Sequence, residues 1–302
     1  MKILIPTFDH SYYLWQCLVQ INNLIKYGYD EAIYIIATNN PSPVLQAMMN
    51  HPKIKSKFYL YKDERKNSIY PVSLRHYLMM NFFKDNPEYE NESIFLIDPD
   101  VVFTKKLDFS EMEKDDLWHL SDTRSYIDSH YIRTKSEKVF NEMCDIVGLN
   151  PNDVISLDPN AGGAQYLMKN INYKFFEKSY NDCEKLYKCL MDNEESGVLP
   201  WTADMWSLLW NGLYFGHNIK INEKLDFCWA PYNIIEWDKK YIFHNAGITS
   251  PSDDFFTKTL YQKSPFNQEI KVKEDNCTFK YVQEIKETEK NFPDITSVFD
   301  QN

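Results

Sequence analysis

The chain has 302 residues, 43% of them hydrophobic and 25% charged, enough for one large α/β domain or a domain with an appended lobe. A net charge of −11, with acids spread along the whole length, argues against a partner read through its phosphate backbone, so no nucleic acid is expected. No run of about 18 apolar residues occurs, so no integral membrane segment is expected, and Pro6 breaks the opening apolar run too early for a signal peptide.

Lys2-Ile3-Leu4-Ile5 reads as a first strand, and the loop Pro6-Thr7-Phe8-Asp9-His10 follows. Leu14, Leu18, Ile21 and Ile25 then recur at helical spacing until Gly28. Residues 32–37 form a second strand, residues 43–50 a short helix and residues 58–61 a third strand. Pro71 opens a helix carrying Tyr70, Leu74, Tyr77 and Leu78 on one face. Strands alternating with helices of this length imply βαβ units and a mostly parallel sheet.

The fourth strand, Ile94-Phe95-Leu96-Ile97, is a short apolar run stopped by Asp98-Pro99-Asp100, and a second apolar run, Val101-Val102-Phe103, follows. Pro99 cannot donate to a sheet ladder and turns the chain. Both aspartates are thus delivered at the carboxyl end of a buried strand, where open α/β sheets bind ligands. Two acids held close repel unless a cation lies between them or one keeps its proton. Carboxylate oxygens completed by phosphates and water suit Mg²⁺ or Mn²⁺. The bland alternative is a chance Asp-x-Asp in a proline turn.

Further along, residues 117–120 suggest a strand, and Thr134-x-x-Glu137 a capping box for a helix bearing Val139, Phe140, Met143 and Val147. Gly162-Gly163 leads into the strand Ala164-Gln165-Tyr166-Leu167-Met168. In a chain with only eight glycines, this pair allows close approach of backbone to a ligand or to another strand, or simply a turn. A long helix with Phe176, Tyr180, Cys183, Tyr187 and Leu190 comes next. Thr202 then caps a helix with Met205, Leu208 and Leu209 and leaves Asp204 in its first turn. Asp204 is therefore either a helix-dipole partner or a catalytic carboxylate. The strand Phe227-Cys228-Trp229 precedes Tyr241-Ile242-Phe243-His244, where His244 is either a plain strand-end residue or a metal ligand. A polar tail from about residue 251 holds a helix over residues 279–285. The six cysteines form no CxxC pair and fit reduced, buried thiols in a cytoplasmic protein, which leaves zinc improbable.

The first loop has no glycine, so neither a dinucleotide-binding Rossmann motif nor a P-loop is present. Phosphates must be held by something else, and a cation on Asp100 is the candidate. Taken together, Ile3-Leu4-Ile5-Pro6-Thr7, Asp98-Pro99-Asp100, Ala161-Gly162-Gly163, Trp201-Thr202-Ala203-Asp204 and His244-Asn245-Ala246-Gly247 resemble the GT-A glycosyltransferases, in order and approximate spacing over about residues 1–250.

That resemblance implies a Rossmann-like GT-A domain over residues 1–250, with a nucleotide-binding half (1–104), an acceptor-binding half (105–250) and a C-terminal extension (251–302) ending in a helical tail. It implies a nucleotide-sugar donor (a UDP- or GDP-sugar), a glycan or other hydroxyl acceptor, and Mn²⁺ or Mg²⁺. Asp100 would bind the metal, Asp98 the metal or the ribose, and His244 would be a third ligand. Pro6, Thr7 and Asp9 would hold base and ribose, Arg75 would be the cation near the nucleotide, and Gly162 and Gly163 would approach the donor. The Lys-Pro-Trp that usually follows such a histidine is replaced here by Ile248-Thr249-Ser250-Pro251. An inverting enzyme needs a carboxylate to take the acceptor proton, for which Asp204 is placed; a retaining one needs a group near the anomeric carbon, Gln165 or Asp204. Trp201, Trp206, Trp229, Tyr232 and Trp237 offer faces for an acceptor sugar or for the core. Two other readings compete: a degenerate carbohydrate-binding or assembly protein, and a sugar nucleotidyltransferase. The second needs a glycine-rich basic first loop that Ile5-Pro6-Thr7-Phe8-Asp9 does not supply.

Overall fold

In a computed structural model, which describes residues 1–247, 252 and 254–300, the short apolar runs separated by helical periodicity become strands. Those of the described residues are β1 (Lys2–Phe8), β2 (Ile33–Ala37), β3 (Lys57–Tyr61), β4 (Ile94–Leu96), β5 (Val101–Phe103), β6 (Trp118–Asp122), β7 (Gly162–Met168), β8 (Ile219–Ile221), β9 (Phe227–Trp229) and β10 (Ile242–His244). A mostly parallel seven-stranded sheet has the order β3-β2-β1-β4-β7-β6-β8, and a three-stranded one the order β5-β10-β9. With its flanking helices this is the α/β class expected from the sequence. By internal contacts the chain divides into two compact units.

The first unit comprises Ile3–Lys62, Ile97–Asp108 and Asp226–Asn302. Here β1, β2 and β3 pair in parallel, with Leu4 opposite Ile33 and Ile33 opposite Lys57. Every residue of β2 is buried, as a strand covered on both faces requires. Helix Ser11–Tyr27 starts where His10 Nδ1 accepts from the Tyr12 N–H at 3.2 Å. It stops at Gly28, whose φ of 81° disfavours any residue with a Cβ. Helix Pro43–Asn50 has proline in its first turn, and Ser42 Oγ accepts from the Leu45 N–H. In the smaller sheet β10 runs antiparallel to β5 and parallel to β9, with His244 opposite Val101 and Trp229. The tail helix is longer than expected, Cys277–Asn291, and Pro293–Phe299 follows it.

The second unit comprises Met1–Lys2, Asp63–Leu96 and Phe109–Leu225. Strand β7 is antiparallel to β4 and to β6, and β6 is parallel to β8. Helix Tyr173–Asp192 packs against both Leu74–Asp85 and Ala203–Tyr214, and its buried residues include Phe176, Cys183, Leu186 and Leu190.

Two capping expectations are corrected. Thr134 lies inside helix Ser129–Lys135, and extended Ser136 caps Glu137–Val147 by accepting from the Val139 N–H at 3.2 Å. Thr202 does precede Ala203–Tyr214, but its hydroxyl donates to Leu199 O and leaves the helix N–H groups uncapped by it. All six cysteines are free thiols, five buried and Cys189 half-buried. Of the aromatics offered for an acceptor, Trp206 and Trp237 are core, whereas Trp201 is 66% exposed and Tyr232 47%. Among the described residues no helix is long and apolar enough to cross a membrane.

Candidate metal centre

After Ile97 the chain turns on Asp98-Pro99-Asp100-Val101. The Val101 N–H donates to Asp98 O at 3.3 Å, the closing bond of a β-turn with proline at its second position, where a fixed φ suits it. The turn is held from behind. Gln20, fully buried on helix Ser11–Tyr27, donates its amide to Asp98 O at 2.8 Å and to Val101 O at 2.9 Å, while its Oε1 accepts from Tyr34 Oη at 3.0 Å. One helical turn on, Asn23 donates to Phe103 O and accepts from the Phe103 N–H, fixing β5 at both groups of one residue. The Asn245 N–H donates to Asp100 O at 3.0 Å. Pairing of β5 with β10 therefore delivers His244 beside the turn.

The result is a three-residue cluster. Asp98, Asp100 and His244 each offer one ligand atom, and these atoms lie within 4.8 Å of one another. His244 Nε2 stands 3.4 Å from Asp100 Oδ1 and 3.7 Å from Asp98 Oδ2. Asp100 and His244 are buried, and the Asp98 side chain is 30% exposed, so the cluster opens to one side. Two carboxylate oxygens and an imidazole nitrogen form a donor set able to hold a divalent cation. Lys258 is the fourth member: its ammonium lies directly against Asp100 Oδ2. Burial alone would raise the Asp100 carboxyl, but the charges of Lys258 and His244 outweigh it and hold the group below the usual carboxylate range. Burial would likewise lower Lys258, and Asp100 reverses that and raises it.

The first-loop residues of the same unit are less open to a ligand. Pro6 is buried within β1 opposite Ile35. Thr7 is 4% exposed and sits opposite Ile36. Asp9 is committed within the unit: Oδ2 accepts from Thr38 Oγ1 and the Ser42 N–H, both at 2.8 Å, and Oδ1 from Ser42 Oγ at 2.6 Å. Ile248-Thr249-Ser250-Pro251, where the resemblance expects a lysine, lies outside the described residues.

The other expected site residues belong to the second unit. Arg75, on helix Leu74–Asp85, is 8% exposed, and its Nη1 is 3.0 Å from Asp204 Oδ2. Tyr70 Oη donates to Trp201 O and reaches Asp204 Oδ1 at 3.3 Å. Burial raises the Asp204 carboxyl and Arg75 opposes the rise, leaving it above its ordinary value. Gln165 is fully buried in β7, where its Oε1 accepts from Ser121 Oγ. A Cβ at Gly162 would stand 2.6 Å from Ser121 O and 2.7 Å from Leu120 Cβ, and one at Gly163 2.4 Å from Met205 Cε. The close approach that these glycines permit in the structure is to β6 and to helix Ala203–Tyr214.

The structure thus brings together Asp98, Asp100 and His244 in one unit and Arg75 with Asp204 in the other. Sequence reading missed Gln20, Asn23, Asn245 and Lys258. For Gln20 and Asn23 a signal existed: amides among Leu14, Leu18 and Ile21 on a helix otherwise read as apolar.

No protein-family model and no curated protein sequence matches the chain. Among solved structures it is similar to the apo structure of the bifunctional glycosyltransferase WbbM, at 11% identity over 94% of this chain, with a TM-score of 0.51. This chain spans 49% of that one, about half its length. The galactosyltransferase LgtC in complex with donor and acceptor sugar analogs matches at 11% identity over 95% of this chain and 96% of that one, with a TM-score of 0.48. An active-site mutant of LgtC matches at 9% identity over the same shares, with a TM-score of 0.47. The likeness to WbbM is one of fold, and the chain has the α/β GT-A fold found in glycosyltransferases.

Proposed function

We propose that this chain is a metal-dependent glycosyltransferase that moves a sugar from a UDP- or GDP-sugar to a hydroxyl acceptor, a glycan in our reading. The observation that carries the proposal is the Asp98, Asp100 and His244 cluster in a chain with this fold. Departure of the sugar leaves charge on the nucleoside diphosphate, and a bound Mn²⁺ or Mg²⁺ supplies the charge that stabilises it without proton transfer. In this reading Asp98, Asp100 and His244 would hold the ion, and Gln20 with Asn245 keeps the turn in register. The backbone of the first loop, at the end of the strand that buries Pro6 and Thr7, would border the base and ribose.

Asp204 is assigned the acceptor's proton. A carboxyl raised by burial is a better base than an exposed one, and Arg75 fixes its orientation through Oδ2. Gln165, bonded by Ser121, and Asp204, whose oxygens face Arg75 and Tyr70, are both engaged; the proton is assigned to Asp204 because a carboxylate can accept one and an amide cannot. The exposed face of Trp201 is assigned to the acceptor ring. The six free thiols fit a reducing compartment, and the cytoplasm is part of the proposal.

The test is a screen of UDP- and GDP-sugars for release of free nucleotide in Mn²⁺ buffer, with and without candidate glycans. Release from one donor class, abolished by EDTA and increased by an acceptor, is expected. No release across the panel, in protein shown to be folded, contradicts the proposal.

A further inference from the structure

The position of Lys258 carries an inference beyond that reading, although it rests on the same cation site. Its ammonium touches Asp100 Oδ2, the second oxygen of the carboxylate whose Oδ1 faces His244. The contact is enclosed: the Asp100 side chain is 5% exposed and that of Lys258 17%. A buried carboxylate without a counter-charge is strongly disfavoured. Asp98 and Asp100 are also near neighbours whose charges repel, and one ammonium relieves that repulsion. A divalent ion bound through Asp100 Oδ1 would stand only a carboxylate's width from the ammonium on Oδ2. Two cations that close in a low-dielectric site repel strongly, so one must leave. Lys258 has a flexible four-carbon stem and can swing away, whereas His244 is fixed by the pairing of β10 with β5 and β9.

We propose that Lys258 is a built-in counter-ion for Asp100, and that the Lys258 ammonium and a divalent cation compete for this carboxylate. The metal-free protein keeps its site assembled because Lys258 neutralises Asp100. Cation binding expels the ammonium and makes it available to solvent or to an anionic ligand. Affinity for the bare ion is lower than the three ligands alone would give.

The experiment uses Mn²⁺ alone, with no nucleotide. Isothermal titration of Mn²⁺ into wild type and Lys258→Met should show about tenfold or more tighter binding to the variant, because Met keeps the stem and removes the competing charge. In wild type, acylation of Lys258 by an amine-reactive reagent, read by peptide mass spectrometry, should rise when Mn²⁺ is added, which needs no variant to fold. Equal or weaker Mn²⁺ binding by a folded Lys258→Met, or unchanged Lys258 reactivity, overturns the competition and leaves the cation reading standing. Absence of Mn²⁺ binding in both proteins overturns the competition and the cation reading together.

Discussion

Gln20→Leu is the sharpest probe of how the metal turn is held. The side chain is fully buried and makes three hydrogen bonds, to Asp98 O, to Val101 O and from Tyr34 Oη, at 2.8, 2.9 and 3.0 Å. Leu has nearly the same volume, so the cavity contribution is small and the loss is polar. At about 1 kcal/mol net for each buried bond, the substitution should cost about 3 kcal/mol of folding stability. Urea denaturation followed by circular dichroism measures it, with the slope against urea checked for constancy. Gln16→Leu is the internal control. Gln16 is nearly as buried but, among the described residues, its bonds stay local to Tyr12 one helical turn away and leave the Asp98 turn untouched, so its loss should be smaller, near ~1 kcal/mol. Because Gln20 anchors the turn between both aspartates, Mn²⁺ affinity should fall as well, by about tenfold, while Gln16→Leu leaves it unchanged. Equal stability losses for the two variants, or unaltered Mn²⁺ affinity in Gln20→Leu, would refute this account of the turn.

Three further predictions follow from named contacts. Asp204→Asn should lower sugar transfer by about 10²-fold or more while nucleotide binding in Mn²⁺ stays at the wild-type level; equal losses in both would make Asp204 structural. Gly162→Ala should destabilise by about 2 kcal/mol, since its Cβ would meet Ser121 O and Leu120 Cβ, both of which are fixed parts of the neighbouring strand, and an unchanged urea midpoint would show that β6 can yield. Burial, aided by Arg75, pushes His76 down to about 3. The unfolded chain, in which a histidine titrates near 6.5, therefore takes up a proton that the folded chain refuses. The stability present above pH ~6.5 is lost as pH falls toward 3, by about 2 kcal/mol at pH 5. His76→Gln removes that loss, so the gap in unfolding free energy between wild type and variant should shift by this amount from pH 7 to pH 5. A constant gap would count against it.

What the sequence made legible was mostly local. Gly28 ends its helix because only φ matters there, and Pro43 starts one because its own ring decides it. Asp98-Pro99-Asp100 could be read as a turn at a strand end because Pro99 sets the geometry of its neighbours. The Thr134 capping box failed on local grounds too: Ser136, two residues on, offered an equally good oxygen and took the cap. The site itself depends on long-range contacts. Gln20 reaches residues some eighty positions away, Arg75 pairs with Asp204 over 129, and Lys258 with Asp100 over 158. Nothing in the polar stretch around Lys258 distinguishes it from any surface lysine until the tertiary fold buries it. The glycine pair shows the opposite case: its conformational freedom was evident, but whether ligand or strand approached it was decided only by the pairing of β7 with β6.

The most direct measurement of the central claim is calorimetric titration of UDP and of GDP into wild type and Asp100→Asn, each in Mn²⁺ and in EDTA, with folding of both proteins verified by circular dichroism. One nucleotide should bind wild type in Mn²⁺, EDTA should abolish the binding, and Asp100→Asn should have lost it. Nucleotide binding of equal strength in all four conditions, or in none, would contradict a cation held at Asp100.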